Sequence, residues 1–199
     1  MRVEQPYQVW PGFFPASFCD DVIALGEALK LTPGTVTHDP HGKARASEVA
    51  WIGDTEEHAW IYGPVADLIA VTNRKFWGWR MAGRETIQYT RYGENQFYGW
   101  HMDARKKPYA EGERWGGLVR KISVSINLSH PDDYQGGAFE IEQTTPTPDR
   151  PERRITALAD LWPQGSAVVF PAHLHHRVLP VTRGMRRSLV GWFLGPPFE

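Results

Sequence analysis

The chain has 199 residues, enough for one domain with a buried core. Hydrophobic residues make up 41% and charged residues 23%, which excludes a largely disordered chain, and no run approaches the roughly 18 apolar residues of a membrane helix. Twenty-two Lys and Arg against 23 Asp and Glu leave a net charge of −1, without the basic surplus of a duplex-binding protein.

Pro15-Ala16-Ser17 opens a helix along FCDDVIALGEALKL, where Phe18, Val22, Ile23, Leu25 and Leu29 fall near helical spacing and Pro33-Gly34 stops the run. The lone thiol, Cys19, excludes an internal disulfide, a cysteine-built zinc site and an iron–sulfur cluster, and a cytoplasmic setting follows as the default expectation. MRVEQPYQVW has no apolar stretch, so no secretion signal is expected. A strand is expected over 46–52. Thr55-Glu56-Glu57 starts a second helix that breaks at Gly63-Pro64. Pro64 then suits the first position of a further helix, VADLIAVTNRKFW.

From there β-rich runs alternate with turns. Strands are expected over 85–92, 96–102, 119–128, 138–142, 166–170, 176–181 and 186–194. Turn signals stand at Tyr92-Gly93-Glu94-Asn95, Pro131-Asp132-Asp133, Gly136-Gly137, Pro163-Gln164-Gly165 and Thr182-Arg183-Gly184. Two stretches, 104–118 and 143–154, read as long loops, with TPTPDRP exposed and extended. Helices followed by strands without crossover helices point to antiparallel sheets in a sandwich, barrel or jelly roll.

The chemistry concentrates late in the chain. His101-Met102-Asp103 closes the aromatic run Phe97-Tyr98-Gly99-Trp100. Strand side chains repeat every two residues, so His101 and Asp103 share a face. Together they supply two of the three ligands of a 2-His-1-carboxylate set, which suits Fe(II) and leaves positions open. A half-buried histidine beside an Asp turn cap fits the same tripeptide. The third ligand must come from a distant segment. His173, His175 and His176 are the candidates, in FPAHLHHRVLPV. Histidines beside Val and Leu are costly to bury unless satisfied, and a metal satisfies them; an exposed loop also accommodates them. Next comes TRGMRRSLV. One of Arg183, Arg186 and Arg187 could grip a carboxylate with two prongs. Strand alternation puts Arg186 on the side of Ser188 and Val190, and Arg187 on the other.

The stretch from Tyr92 to Asp103 resembles the pattern Tyr-x-x-Gly-Gln-x-Tyr-x-x-His-x-Asp of prolyl-4-hydroxylase-like 2-oxoglutarate- and Fe(II)-dependent dioxygenases, with Asn95 in place of the glycine. Phe170-Pro171 and the run from His176 to Trp192 are similar to a second stretch of that family. Gly136-Gly137-Ala138-Phe139-Glu140 and Arg45-x-Ser47 with Trp51 resemble two others. The resemblance implies a double-stranded β-helix of jelly-roll or cupin-like type in a single domain over 1–199. Its helical part would cover about 1–78, packed on one sheet, and the β-helix core about 79–195. It implies Fe(II) on His101, Asp103 and His176, and 2-oxoglutarate with its distal carboxylate on Arg186. Tyr92 would touch the cosubstrate, and Asn127 would lie near it. His173 and His175 would be neighbours. Halogenating relatives lack the carboxylate, so Asp103 favours hydroxylation. The implied reaction takes O2, releases succinate and CO2, and has ascorbate as a candidate reductant.

The substrate expected from the resemblance is a peptidyl residue, often proline, or a free amino acid or other small metabolite, with no nucleic acid or membrane partner. A non-oxygenase, cupin-like metal-binding protein is the rival; it would need no cationic pocket, so Arg186 discriminates. The stretch 104–118 holds Arg105, Lys106, Lys107, Tyr109 and Trp115. It suits a lid over an acidic or peptide substrate, or a solvated loop. Trp77, Trp79, Trp100 and Trp162 are expected in the core.

Overall fold

Along Val119–Asn127, Ile122, Val124 and Ile126 alternate with Ser123, Ser125 and Asn127, and all six are buried. A strand with one apolar and one polar face, both covered, belongs between a dry layer and a polar interior. The computed structural model, which describes residues 6–35, 44–105, 107–145 and 152–198, shows that arrangement.

The strands in chain order are β1 (Gln8–Trp10), β2 (Thr32–Pro33), β3 (Arg45–Ala46), β4 (Glu48–Ile52), β5 (Gly83–Arg84), β6 (Ile87–Tyr92), β7 (Phe97–His101) and β8 (Val119–Asn127). They continue with β9 (Tyr134–Gly136), β10 (Phe139–Thr145), β11 (Glu152–Ala157), β12 (Ala167–Pro171), β13 (His175–Val178), β14 (Val181–Gly184) and β15 (Arg186–Gly195). The larger sheet runs β1-β12-β8-β15-β6-β4-β2, with β5 on β15. The smaller runs β11-β10-β13-β7-β3, and β14 pairs with β9. These ladders are antiparallel.

Helices α1 (Ala16–Ala28) and α2 (Ala59–Phe76) cover one face of the larger sheet. Val22, Ile61, Val65 and Leu68 pack there against Ile87, Tyr89, Ile122, Val124, Ile126 and Leu189. Each buried aliphatic side chain contributes about 1.5–3 kcal/mol relative to exposure, so this layer dominates the stability of the sheet. The opposite face of the same strands carries Gln88, Thr90, Ser125, Arg186 and Ser188 toward the smaller sheet. A second apolar cluster, with Phe139, Ile141, Phe170 and Val178, closes one end. This is the double-stranded β-helix expected, with helices on one sheet.

Several local expectations are corrected. α2 runs straight through Pro64, which is therefore interior and not a first helical position. Its missing N–H would have bonded to the Trp60 carbonyl, and both residues lie on the exposed face, where solvent reaches that carbonyl. The stretch 182–184 is part of β14, not a free turn, because it pairs with β9. The expected strand 176–181 splits at Leu179-Pro180, where Pro180 has no N–H for a ladder. Much of the expected loop 143–154 is a hairpin, Thr145 facing Glu152 in the β10–β11 register, and 146–151 lie outside the described residues. Beside its helices the N-terminal part contributes β1 to β4, and β4 falls within the strand expected over 46–52. Among the described residues, no helix is long and apolar enough to cross a membrane.

Candidate active site

β7 ends at His101, and β13 sets His176 opposite it in register. The chain bends after His101 and brings Asp103 back to both rings. Asp103 Oδ1 lies 3.8 Å from His101 Nε2, and Oδ2 lies 3.7 Å from His176 Nε2. One ligand atom from each residue falls within 4.8 Å of the others. His176 shares the buried side of β13 with Val178, whereas His173 and His175 are exposed.

The two imidazoles are oriented by the same device. His101 Nδ1 is 2.8 Å from the Gly99 carbonyl, and His176 Nδ1 is 2.9 Å from the Leu174 carbonyl. A carbonyl only accepts, so Nδ1 carries the proton and Nε2 keeps its lone pair for a ligand. Tyr98 stacks on His101 at 3.5 Å, and Phe139 stacks on His176 at 5.4 Å. Burial, then the facing His176, holds the His101 pKa down at about 3, so its ring is neutral at neutral pH. Burial pushes Asp103 upward, but neighbours led by His176 and His101 outweigh it and hold the carboxyl below its ordinary value.

This predicts a pH effect on the metal-free protein. An unfolded histidine titrates near pH 6.5 and the folded His101 only near 3, so the unfolded state takes up more protons between those values. The stability contributed by the neutral ring is full above about pH 6.5. It falls by about 1.4 kcal/mol per unit as pH drops toward 3. Thermal melts should show His101→Gln losing less stability than the parent between pH 6.5 and 4. Identical slopes would contradict a buried neutral ring.

The donor chemistry fits a metal. Asp103 Oδ2 is buried with no hydrogen-bond partner among the described residues. A buried anionic oxygen left so is costly, and a cation between the three side chains would satisfy it. Two imidazole nitrogens and one carboxylate, with the remaining positions open to a cavity, form the set that suits Fe(II).

That cavity, of about 860 Å³, also receives Tyr92 and Arg186. Arg186 opens β15 opposite Tyr92, and its guanidinium lies 5.8 Å from the Tyr92 ring. It is 2% exposed, and Nη1 has no partner among the described residues. A buried cation without a counter-charge among the described residues fits a pocket for an anionic ligand. Arg187 points the other way and donates to Glu27 at 2.9 Å, while Arg183 is exposed. Gly137, at φ +63°, stands where a Cβ would come 2.9 Å from Arg186 Cδ. Gly137→Ala is therefore expected to cost about 1–3 kcal/mol and to disturb Arg186. Chemical denaturation checks the first effect and titration with 2-oxoglutarate the second; an unchanged midpoint would contradict the clash.

Asn127 does not line the cavity. Its amide donates to the Trp162 carbonyl at 2.7 Å and the Ser129 carbonyl at 3.3 Å, and Tyr134 Oη donates to its Oδ1 at 3.4 Å. Asn127, expected near the cosubstrate, shares a strand face with Ser125 but lies farther along, and these partners engage it. None of Trp77, Trp79, Trp100 and Trp162 lines the cavity, while Trp51 and Trp192 do. Asn95, in place of the family's glycine, sits at φ +64°, a region asparagine tolerates. Sequence reasoning missed Arg120. It grips Glu85 through two contacts, at 2.6 and 2.5 Å, lies 4.2 Å from the Trp192 ring, and donates to the Asp103 carbonyl at 3.3 Å. No local pattern marks it, because Glu85 is 35 positions away. Tyr98, a letter of the Tyr92–Asp103 pattern with no role read for it, proves to be the ring that stacks on His101.

A buried two-histidine, one-carboxylate cluster between facing antiparallel sheets defines a class, and comparison with known proteins agrees with it. Residues 87–194 match the model of the 2OG-Fe(II) oxygenase superfamily, and the chain belongs to that family. Among curated relatives, a PKHD-type hydroxylase of Idiomarina loihiensis is 33% identical over 113 residues, covering 57% of this chain and 43% of that protein. Another, from Verminephrobacter eiseniae, is 37% identical over 100 residues, covering 50% and 39%. The matched stretch thus spans less than half the length of these relatives. A prolyl-4-hydroxylase of Pseudomonas putida superposes with a TM-score of 0.66 at 21% identity, covering 94% of this chain and 91% of its own. A Trichoplax adhaerens prolyl hydroxylase, solved with a hypoxia inducible factor peptide fragment, gives 0.68 at 18% identity, covering 94% and 83%. These structures share the fold.

Proposed function

We propose that the chain is a 2-oxoglutarate- and O2-dependent Fe(II) dioxygenase that hydroxylates an unactivated C–H bond and releases succinate and CO2. One observation carries this reading: the half-buried His101 and Asp103 and the buried His176 share a cavity with buried Arg186, whose Nη1 has no partner among the described residues. His101 and His176 would hold the metal through Nε2 and Asp103 through a carboxylate oxygen. When bound, the ferrous ion would let O2 act as the oxidant, with two electrons drawn from the decarboxylating 2-oxoglutarate and two from the C–H bond.

The chain's own side chains do the positioning. The Gly99 and Leu174 carbonyls fix the ring tautomers. Tyr98, Phe139 and Phe170 pack around the imidazoles and exclude water. Arg186 receives the distal carboxylate of 2-oxoglutarate as a two-pronged contact, with Tyr92 beside it. A cupin-like binding protein would have no use for such a cation, so Arg186 weighs against that alternative.

A peptidyl residue, proline foremost, is the substrate class best supported, because a relative in fold holds a peptide fragment; a free amino acid or small metabolite comes second. Ala104, Arg105 and Lys107 line the cavity, and Tyr109 anchors their loop by donating to Glu85 at 2.5 Å, so 104–118 is proposed as a lid. Lys106 lies outside the described residues. A cytoplasmic setting belongs to the same proposal, resting on the free, buried Cys19. The test is anaerobic reconstitution with Fe(II) and ascorbate, followed by 2-oxoglutarate and air. Succinate should form in an iron-dependent manner, slowly without substrate and faster with it. A complete lack of succinate would overturn the proposal.

A further inference from the structure

The cavity holds more positive charge than the proposed cosubstrate uses. Among the described residues, its lining carries Arg45, Arg105, Lys107, Arg120 and Arg186 against a single carboxylate, Asp103. Arg120 is met by Glu85 from outside the lining, and Arg186 is assigned to 2-oxoglutarate. A ferrous ion and a dicarboxylate cancel each other's charge. Arg45, Arg105 and Lys107 therefore remain, and none forms an ion pair among the described residues.

Arg45 is the built element of the three. Its Nε donates to Ser47 Oγ at 2.7 Å and its Nη2 donates to Gln88 Oε1 at 3.0 Å, both neutral acceptors. Its guanidinium lies 4.6 Å from the centre of the Tyr98 ring, and Tyr98 stacks on His101. One aromatic ring thus separates a fixed, half-buried cation from the metal cluster. Of its five N–H groups, three have no partner among the described residues. Arg105 lies 3.9 Å from the Tyr109 ring, and Trp51, 51% exposed, adds an aromatic wall to the cavity. A cleft lined by one sign of charge concentrates ligands of the other.

We propose that the primary substrate carries a carboxylate close to the carbon that is oxidised, and that Arg45 receives it while Arg105 and Lys107 attract it. This rests on the oxygenase reading and narrows it from any peptide or metabolite to an acidic one. The carboxylate can be an Asp or Glu side chain in a peptide, or a free chain terminus.

The experiment uses the full chain, loaded anaerobically with Fe(II) and 2-oxoglutarate, and first records the visible absorbance of that complex. Binding is then read by quenching of tryptophan fluorescence, without turnover. One pair of probes is a pool of capped random hexapeptides with a central Glu and its Gln counterpart. A second pair carries a free or an amidated C-terminus. The third arm is a short oligothymidylate. In one of the two pairs, the acid form should bind at least about tenfold more tightly than its amide. Arg45→Gln should reduce that preference to less than about threefold, and Arg45→Glu should invert it toward a Lys-centred pool, which a misfolded protein could not do. Equal binding of acids and amides, absence of binding by both, or tighter binding of the oligothymidylate would overturn the proposal while leaving the oxygenase reading intact. If the visible band does not form, the metal site itself fails and both readings fall.

Discussion

Arg186→Gln is expected to raise the 2-oxoglutarate concentration required for half-maximal succinate formation by roughly 30-fold or more. The guanidinium is buried at the first residue of β15 and has no counter-charge among the described residues. Removing one partner of a desolvated, hydrogen-bonded charge pair costs about 2–5 kcal/mol, and the lower bound already corresponds to that factor. Chelation of the metal by the keto-acid end does not involve Arg186, so turnover should recover at high cosubstrate. Arg186→Lys keeps the charge and loses the fork, and should fall between the two. Steady-state kinetics over a wide 2-oxoglutarate range decides it. An unchanged requirement in the Gln variant would mean that another cation of the cavity lining receives the cosubstrate.

The second large effect concerns Asp103 and His176. Asp103→Ala and His176→Ala should each weaken Fe(II) binding by at least about 100-fold and remove detectable succinate formation, since each deletes one of three ligands. The two differ from ordinary core mutations in a way that melting can detect. Without metal, Asp103 is a buried carboxylate whose pKa is held below its ordinary value by neighbours led by His176 and His101, with one oxygen lacking a partner among the described residues. Removing one member of such a buried charged cluster destabilises, whereas a bound cation adds stability only where the site can still hold it. The metal-free Asp103→Ala protein should therefore melt below the parent, and added Fe(II) should raise the melting temperature of the parent and not that of the variant. A steep loss of stability with metal binding retained would identify Asp103 as structural.

Much of this site was legible along the chain, and the reasons are specific. The two-residue period separated Arg186 from Arg187, and the short spacing of His101 and Asp103 marked them as a pair, although Asp103 lies past the end of β7 and reaches the site through the bend after His101. The same parity could have chosen the third histidine: His176 alternates with buried Val178, so His175 must face out. The polar row Ser123, Ser125 and Asn127 on a central, covered strand also announces a polar interior. What was not legible depends on distant contacts. The bidentate Arg120–Glu85 contact joins segments with no shared local pattern, and the position of Asn127 along β8 decides its role more than the face it shares. β11 was hidden by the Pro-rich connection that precedes it, and β14 by turn-forming residues that nonetheless pair with β9. Pro64 reads locally as a helix start, yet the buried stripe of Ile61, Tyr62, Val65 and Leu68 carries the helix through it.

Anomalous diffraction at the iron edge, from crystals grown anaerobically with Fe(II) and 2-oxoglutarate, tests the central claim most directly. One strong peak per chain is predicted, roughly 2.2 Å from Nε2 of His101, Nε2 of His176 and an oxygen of Asp103, with the cosubstrate reaching from it toward Arg186. A peak at other side chains, or none in crystals shown by analysis to contain iron, would contradict it.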